Sequence, residues 1–497
     1  MKKTSFYITT TLPYVNADLH MGHALEFIRA DAIARYKKLL GYDVFFNTGT
    51  DEHGMKIYEK AIASGMTPQE FVDNSFLRFK ESVKIFGMVP ELHFIRTTDE
   101  SHIKAVQEFW KRCDKNGFIY KKNYQTRYCV GCESEKTDGE LVNGECPDHP
   151  GRALETIEED NYFFKYSEFT DQLLKFYADN PTFVVPDFRF NEIKAFLDRG
   201  LQDFSISRLK SKMPWGIPVP GDDDQVMYVW FDALTNYIST LGWPGTPSAF
   251  GISPFAGGEE SLFEKYWILG TPTQYCGKDN IRFQSAMWQA MLMAAGLPNS
   301  HQIVINGFIT AGEGLKMSKT LGNVVDPKEI VREYGTDALR YFLLREISAF
   351  EDSPFTAERF KESYNAGLAN GLGNLTSRIM KMAVSYEVEY DLFSDEGMLD
   401  KFEVFHGEDM RNFNIKNVMD AIWAKIAVLD KRIADERPFE FYKTDSERAK
   451  ETVRALVVFL DEIAFFLKPF LPETSEIVRN IIRDKKLPEQ VLFPRKE

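Results

Sequence analysis

Three groups of residues in this sequence have types and spacings that could do chemistry. His20-Met21-Gly22-His23 sits at the predicted start of a helix, just after a strand-like segment. It offers two imidazoles and a glycine that lets a ligand approach the backbone closely, and a helix N-terminus adds potential favourable to phosphate. Lys316-Met317-Ser318-Lys319-Thr320 follows Gly312-Glu313-Gly314. Two lysines three apart on a glycine-flanked loop can close over a polyphosphate and neutralise charge as a phosphate group leaves. Cys129-x2-Cys132-x13-Cys146-x2-His149 has the spacing of a zinc knuckle. Its three thiolates and one imidazole complete a tetrahedron and leave no position for water, so the metal is expected to be structural, one Zn²⁺ per chain.

The elements that must position these residues follow from the patterning. Phe6 to Thr10 reads as a strand and Met21 to Leu40 as a helix that Gly41 stops. Asp43 to Asn47 reads as a second strand, which makes a βαβ unit with a parallel sheet. Ligands in such sheets bind beyond the carboxyl ends of the strands, where His20, His23 and Asp51 lie. A second βα region runs from about Val226 to Pro327, with Tyr266-Trp267-Ile268-Leu269 and Ile303-Val304-Ile305-Asn306 as expected buried strands. From about Thr356 the texture changes to long amphipathic helices, with Val453, Leu456, Val457, Leu460, Ile463, Ala464 and Leu467 on one face. The expected fold is α/β: a Rossmann-like parallel-sheet catalytic domain split by a small zinc-containing insertion and followed by a helical bundle. The expected divisions are residues 1–116, 117–204, 205–325, 326–360 and 361–497.

H-x-G-H on the first βα loop, joined to K-M-S-K-T late in the second half, resembles the class I aminoacyl-tRNA synthetases. Thr11-Leu12-Pro13-Tyr14-Val15-Asn16, the run Tyr228 to Tyr237, and Gly277-Lys278-Asp279 with Phe283 and Trp288 after it resemble the methionine enzymes of that class. On spacing alone the Trp and Tyr residues would read as core. The resemblance implies instead that Leu12, Tyr14, Trp230, Ala233, Tyr237 and Trp288 wall a methionine pocket, a flexible thioether being well suited to aromatic contact. It implies that Asp51 holds the substrate ammonium, that Gly22, Gly277, Asp279 and Lys319 bind ATP, and that His20, His23, Lys316 and Lys319 are catalytic, with Mg²⁺ on the polyphosphate. The sequence departs from the family at Gln284, Gln274 and Leu234, where histidine, histidine and proline are common. Gln284, in the pocket, can donate and accept hydrogen bonds but cannot become cationic.

Asn374-Leu375-Thr376-Ser377-Arg378 resembles the family's anticodon-reading N-x-x-S-R. The i, i+4 spacing puts Asn374 and Arg378 on one helix face, and Phe439 after Pro438 stands where a base-stacking tryptophan is usual. The expected activity is therefore ATP-dependent activation of L-methionine to its adenylate and transfer to tRNA(Met). The insertion between Gly117 and Phe204 leaves no room for the large editing domain of the valine, isoleucine and leucine enzymes. A cysteine enzyme would grip its substrate with an open zinc, a paralogue without catalysis would not need both signature motifs, and a nucleotidyltransferase acting on other substrates would not need the bundle.

Bulk properties agree. The net charge of -14 argues against indiscriminate nucleic-acid binding without excluding a local RNA surface. No segment reaches the roughly 20 apolar residues of a membrane span, and no secretory signal follows Met1-Lys2-Lys3. Five cysteines, three of them clustered near a histidine, suit metal binding in a reducing compartment. A cytoplasmic location is expected, and the short stretch after the bundle makes a monomer the expected state.

Overall fold

The computed structural model describes residues 4–132, 134–136, 141–245, 261–312, 325–488 and 490–497. Six strands form one parallel sheet: β1 (Ser5–Thr10), β2 (Asp43–Thr50), β3 (His93–Arg96), β4 (Val184–Val185), β5 (Thr271–Gly277) and β6 (Gln302–Asn306), in the order β3-β2-β1-β5-β6-β4. β1 is buried along its whole length, as expected of a central strand covered on both faces. Strand order reverses on either side of β1, and that switch point is where an open α/β sheet leaves a crevice for ligands.

The first helix, α1 (Met21–Leu39), crosses from β1 to β2, and Gly41 ends it at φ 82°. Its buried residues run around most of its circumference, from Met21 through Phe27, Ile28 and Ile33 to Tyr36. One side packs on the sheet. The other meets the helical part of the chain, so a single apolar core runs from Ile8 and Phe27 through Leu343 to Phe402 and Phe466. A second core, around Phe109, Phe231, Trp243 and Trp288, covers the opposite face. The insertion holds a four-stranded antiparallel sheet in the order Ser134–Lys136, Ile119–Cys129, Glu155–Phe164, Phe204–Ser205. The chain between its last two strands returns to the main sheet to supply β4. Among the described residues, no helix is long and apolar enough to cross a membrane.

One expected strand is corrected. Glu264–Ile268 is helical and the strand begins at Thr271, while Ile268 and Leu269 are exposed. An apolar run of four does not distinguish a buried strand from a helical turn. Here only Tyr266 and Trp267 turn inward, the first hydrogen-bonding Asp43 and the second donating to the Pro298 carbonyl.

Burying α1 obliges its charged side chains to find partners. Arg29 donates to the carbonyls of Ala349, Ile347 and Ser348. Asp31 pairs with Arg340 at 2.7 Å, both fully buried, and accepts from Val89 N. Arg340 in turn donates to the carbonyl of Phe470. Removing one member of such a pair leaves an uncompensated buried charge, at a cost of about 3–5 kcal/mol. We predict a loss of that size for Asp31→Ala, measured by urea unfolding of the native and substituted chains.

Candidate active site

The start of α1 is capped by its own signature residues. The Gly22 N–H donates to His20 Nδ1 at 3.1 Å, and the His20 N–H donates to His23 Nδ1 at 3.2 Å. The two rings stack with centroids 3.9 Å apart. A backbone N–H can only donate, so each Nδ1 must accept and each ring carries its proton on Nε2. Burial, with the His20 ring beside it, holds the His23 pKa well below the usual imidazole value, in keeping with a neutral acceptor. A Cβ on Gly22 would stand 2.9 Å from His20 Cε1, so the glycine is what lets the His20 ring fold over the helix end.

Beyond this cap lies a cavity of about 350 Å³. Of the expected site residues it brings together Leu12, Tyr14, His20, Gly22, His23, Asp51, Trp230, Gly277 and Asp279. Asp51 follows β2 and is locked to the 13–15 loop by Asp51 N–H to Pro13 O and Val15 N–H to Asp51 O. Trp230 stacks on Phe283 at 3.9 Å. Ala233, Tyr237, Gln284 and Trp288 do not line the open cavity. They lie buried behind its wall, where Gln284 Nε2 donates to the Tyr237 hydroxyl and the Tyr237 and Trp288 rings stand 5.9 Å apart. Gln274 is buried too and accepts from Ser300. Trp230 Nε1, Trp288 Nε1 and Gln284 Oε1 are buried polar atoms with no hydrogen-bond partner among the described residues, a group that a polar ligand entering the wall would satisfy. Lys316 and Lys319 lie outside the described residues.

Sequence reasoning missed Glu26. It lines the same cavity and accepts from the Thr11 N–H and hydroxyl at 2.7 and 2.6 Å. Burial pushes its carboxyl up to about 8 against those hydrogen bonds, and the nearby Asp279 carboxylate adds to the rise. The spacing of three between His23 and Glu26 on a helix was the available signal.

Cys129, Cys132, Cys146 and His149 converge, with donor atoms all within 4.8 Å of one another. Cys132 Sγ lies 3.3 Å from Cys146 Sγ and 3.2 Å from His149 Nδ1, and Cys129 Sγ lies 3.8 Å from that nitrogen. Bonds of about 2.0–2.3 Å around a tetrahedral ion put ligands about 3.3–3.8 Å apart, so the set fits a thiophilic ion such as Zn²⁺. Cys132 also lines the active-site cavity, which places the knuckle at its mouth.

The helices of the chain include α2 (Glu100–Lys115), α3 (Val229–Leu234) and, in the bundle, α4 (Asn374–Ser385). Arg378 on α4 pairs with Asp430 and, with Phe439, lines a surface cavity of about 280 Å³. Asn374 is exposed one turn before Arg378, on the same face and outside the cavity lining. Phe439 is 49% exposed, as a stacking surface must be. The rest of the lining, which the sequence reading did not single out, includes Lys381 and Tyr386, the latter stacked on Tyr442 at 3.8 Å. Lys381 continues the helical spacing from Asn374 and Arg378, whereas Tyr386 follows the last turn and had no such signal.

Comparison with known proteins places these sites in context. Residues 6–154 and 149–380 match the family described as tRNA synthetases class I (M). The chain is 39% identical over 488 residues to the methionine–tRNA ligase of Thermotoga maritima, covering 95% of this chain and 74% of that protein. It is 37% identical over 495 residues to the methionine–tRNA ligase of Brucella suis, covering 97% and 92%. Among solved structures it is similar to Mycobacterium tuberculosis methionyl-tRNA synthetase in complex with methionyl-adenylate, with a TM-score of 0.89, 33% identity, and coverage of 99% of this chain and 100% of that one.

The knuckle generates a prediction. A Cβ on Gly131 would stand 2.5 Å from the His149 ring. Gly131→Ala should therefore push the imidazole out of the donor set and speed metal loss to a chelator by at least about tenfold, read by a chromogenic zinc indicator. Unchanged release would mean that His149 is not a ligand.

Proposed function

The chain belongs to the class I tRNA synthetases of the methionine type, and on that premise we propose that it is a methionine–tRNA ligase. It activates L-methionine with ATP to methionyl-adenylate and transfers the methionyl group to tRNA(Met). The observation that carries this reading is the single cavity at the sheet's switch point, which joins His20 and His23 to Asp51 on one side and to Gly277 and Asp279 on the other.

In the proposed first step the methionine carboxylate attacks the α-phosphorus of ATP in line, and pyrophosphate leaves. Asp51 receives the substrate ammonium, and Leu12, Tyr14 and Trp230 form the wall that meets the side chain. Ala233, Tyr237, Gln284 and Trp288, buried beside it, are assigned to the deeper layer of that pocket. Gly22 leaves room for the nucleotide, and Gly277 and Asp279 meet its ribose. The Glu26 carboxyl stands beside them, held by the Thr11 N–H and hydroxyl. His20 and His23 present Nε2–H donors to the phosphates, and Lys316 and Lys319 are assigned to the leaving pyrophosphate. Mg²⁺ accompanying ATP supplies further neutralisation of the polyphosphate. No covalent enzyme nucleophile is required, so positioning and electrostatics account for the rate. In the second step the terminal adenosine 2′-hydroxyl of tRNA attacks the methionyl carbonyl carbon of the adenylate, giving up its proton as the acyl–phosphate C–O bond breaks and AMP leaves.

Zn²⁺ on Cys129, Cys132, Cys146 and His149 is assigned a structural role, because four protein ligands leave no open position. Asn374, Arg378 and Phe439 are assigned to the anticodon, with splayed bases stacking on the exposed ring. In this reading residues 1–116 and 205–325 form the catalytic domain, 117–204 the connective insertion, 326–360 the stem-contact link and 361–497 the anticodon-binding bundle. The enzyme acts as a cytoplasmic monomer, where translation consumes its product.

The test is amino-acid-dependent ATP–pyrophosphate exchange with each of the twenty amino acids in turn. The reading predicts exchange stimulated by methionine and by no other protein amino acid, with Lys319→Ala slowing the rate far more than it weakens methionine binding. Stimulation by valine, isoleucine, leucine or cysteine instead would reassign the substrate, and none at all would remove the activity.

A further inference from the structure

Behind the methionine side of the cavity lies a buried polar cluster that none of the steps above uses. Asp232 sits on α3 between Trp230 and Ala233, with its side chain 1% exposed. One carboxylate oxygen, Oδ2, lies 2.7 Å from His53 Nδ1, and the other, Oδ1, lies 2.8 Å from His102 Nε2. His102, on α2, is fully buried, and its Nδ1 lies 2.8 Å from the Ser239 hydroxyl. A carboxylate can only accept here, so both imidazoles donate to it. Burial would raise the Asp232 pKa, but the two histidines reverse this and hold it below the usual carboxylate value.

What the cluster connects gives it meaning. His53 follows Asp51 by two residues, and the intervening Glu52 is held by Arg96 at 2.8 Å and by Thr50 at 2.6 Å. Trp215 Nε1 donates to the Glu52 carbonyl, and the Gly54 N–H donates to the Trp215 carbonyl. The Asp51 loop is thus a rigid piece. Its tie to α3 is the His53–Asp232 bond, and α3 carries Trp230. The carboxylate assigned to the substrate ammonium and the indole assigned to its side chain therefore belong to two elements joined through one buried carboxylate. On the nucleotide side, Gly277 and Asp279 sit at the end of β5, and the imidazole pair caps α1; the hydrogen bonds of Asp232 and His102 run to His53 and Ser239 instead.

We propose that Asp232, gripping His53 and His102, is a positioning residue for the amino-acid substrate. It sets the distance between Asp51 and Trp230 and so the length and pose of the side chain the pocket accepts. The inference rests on the methionine-activating role proposed above. It differs from a purely structural role in what it requires of the kinetics. Loss of a fold element lowers the number of active molecules without changing how each binds substrate, whereas loss of a spacer changes binding of one substrate alone.

The experiment measures pyrophosphate exchange, normalised by active-site titration, for the unsubstituted enzyme and for Asp232→Asn, His53→Ala and His53→Asn. Asp232→Asn and His53→Ala should raise KM for methionine by about tenfold or more, since sub-ångström misplacement is costly in a pre-organised site. KM for ATP and kcat per titrated site should stay within about twofold. His53→Asn can place an amide N–H where Nδ1–H was and should recover most of the methionine KM. Should Asp232→Asn not fold, the His53 pair carries the same test. An unchanged methionine KM in His53→Ala, a parallel rise in both KM values, or no recovery with His53→Asn would overturn the proposal. An unsubstituted enzyme without methionine-dependent exchange would overturn the underlying activity instead, and this inference with it.

Discussion

The burial of α1 is the constraint from which most of this structure follows. A helix packed between a sheet and a bundle has little water to satisfy its polar groups, so each must find a partner in the protein. Arg29 takes the carbonyls after Leu344, and Asp31 takes Arg340 and the Val89 N–H. Glu26 takes Thr11, and the helix N-terminus takes the two imidazoles of its own signature. The first two of these arrangements fasten the segment between the sheet and the bundle to α1. The last two build the floor of the cavity. Architecture and chemistry thus meet in one element, with polar partners at its start serving the site and those further along serving the fold.

This arrangement also explains how the site can stabilise charge without being highly charged itself. Neutral imidazoles fixed by backbone donors need no reorganisation to present Nε2–H groups, and burial beside Asp279 raises the Glu26 pKa. Preorganised neutral donors in a partly buried crevice are effective partners for developing negative charge. On the amino-acid side the logic is reversed: Asp232 is held ionised by two histidines so that it can brace the pocket rather than react.

The parts of this account that were legible in the sequence are those whose partners are near in the chain. β1, α1 and Gly41, the Ile303–Asn306 strand and the amphipathic face of Val453 to Leu467 follow from local periodicity and stop signals. The Cys129–His149 cluster follows from its spacing, because all four donors lie within 21 residues. What escaped depends on distant pairing. Asp232 and its histidines are separated by 179 and 130 positions, and no local pattern joins them. Val184–Val185 is too short to announce itself as a sheet strand and earns its place only by pairing with Ile303 and Val304. Tyr266 to Leu269 misled because composition cannot say which two of four apolar residues face inward. The Trp230–Phe283 stack at the cavity wall joins two distant segments, and no local pattern joins them either.

The most direct test of the central claim is the protonation state of the two capping imidazoles. Ring ¹⁵N chemical shifts of the histidine-labelled protein, assigned by His20→Asn and His23→Asn, report which nitrogen holds the proton. The cap requires both rings to be neutral near pH 7.5 with the proton on Nε2. An imidazolium, or a proton on Nδ1 of either ring, would mean that the helix end is not capped as described and that these residues do not present fixed Nε2–H donors to the cavity.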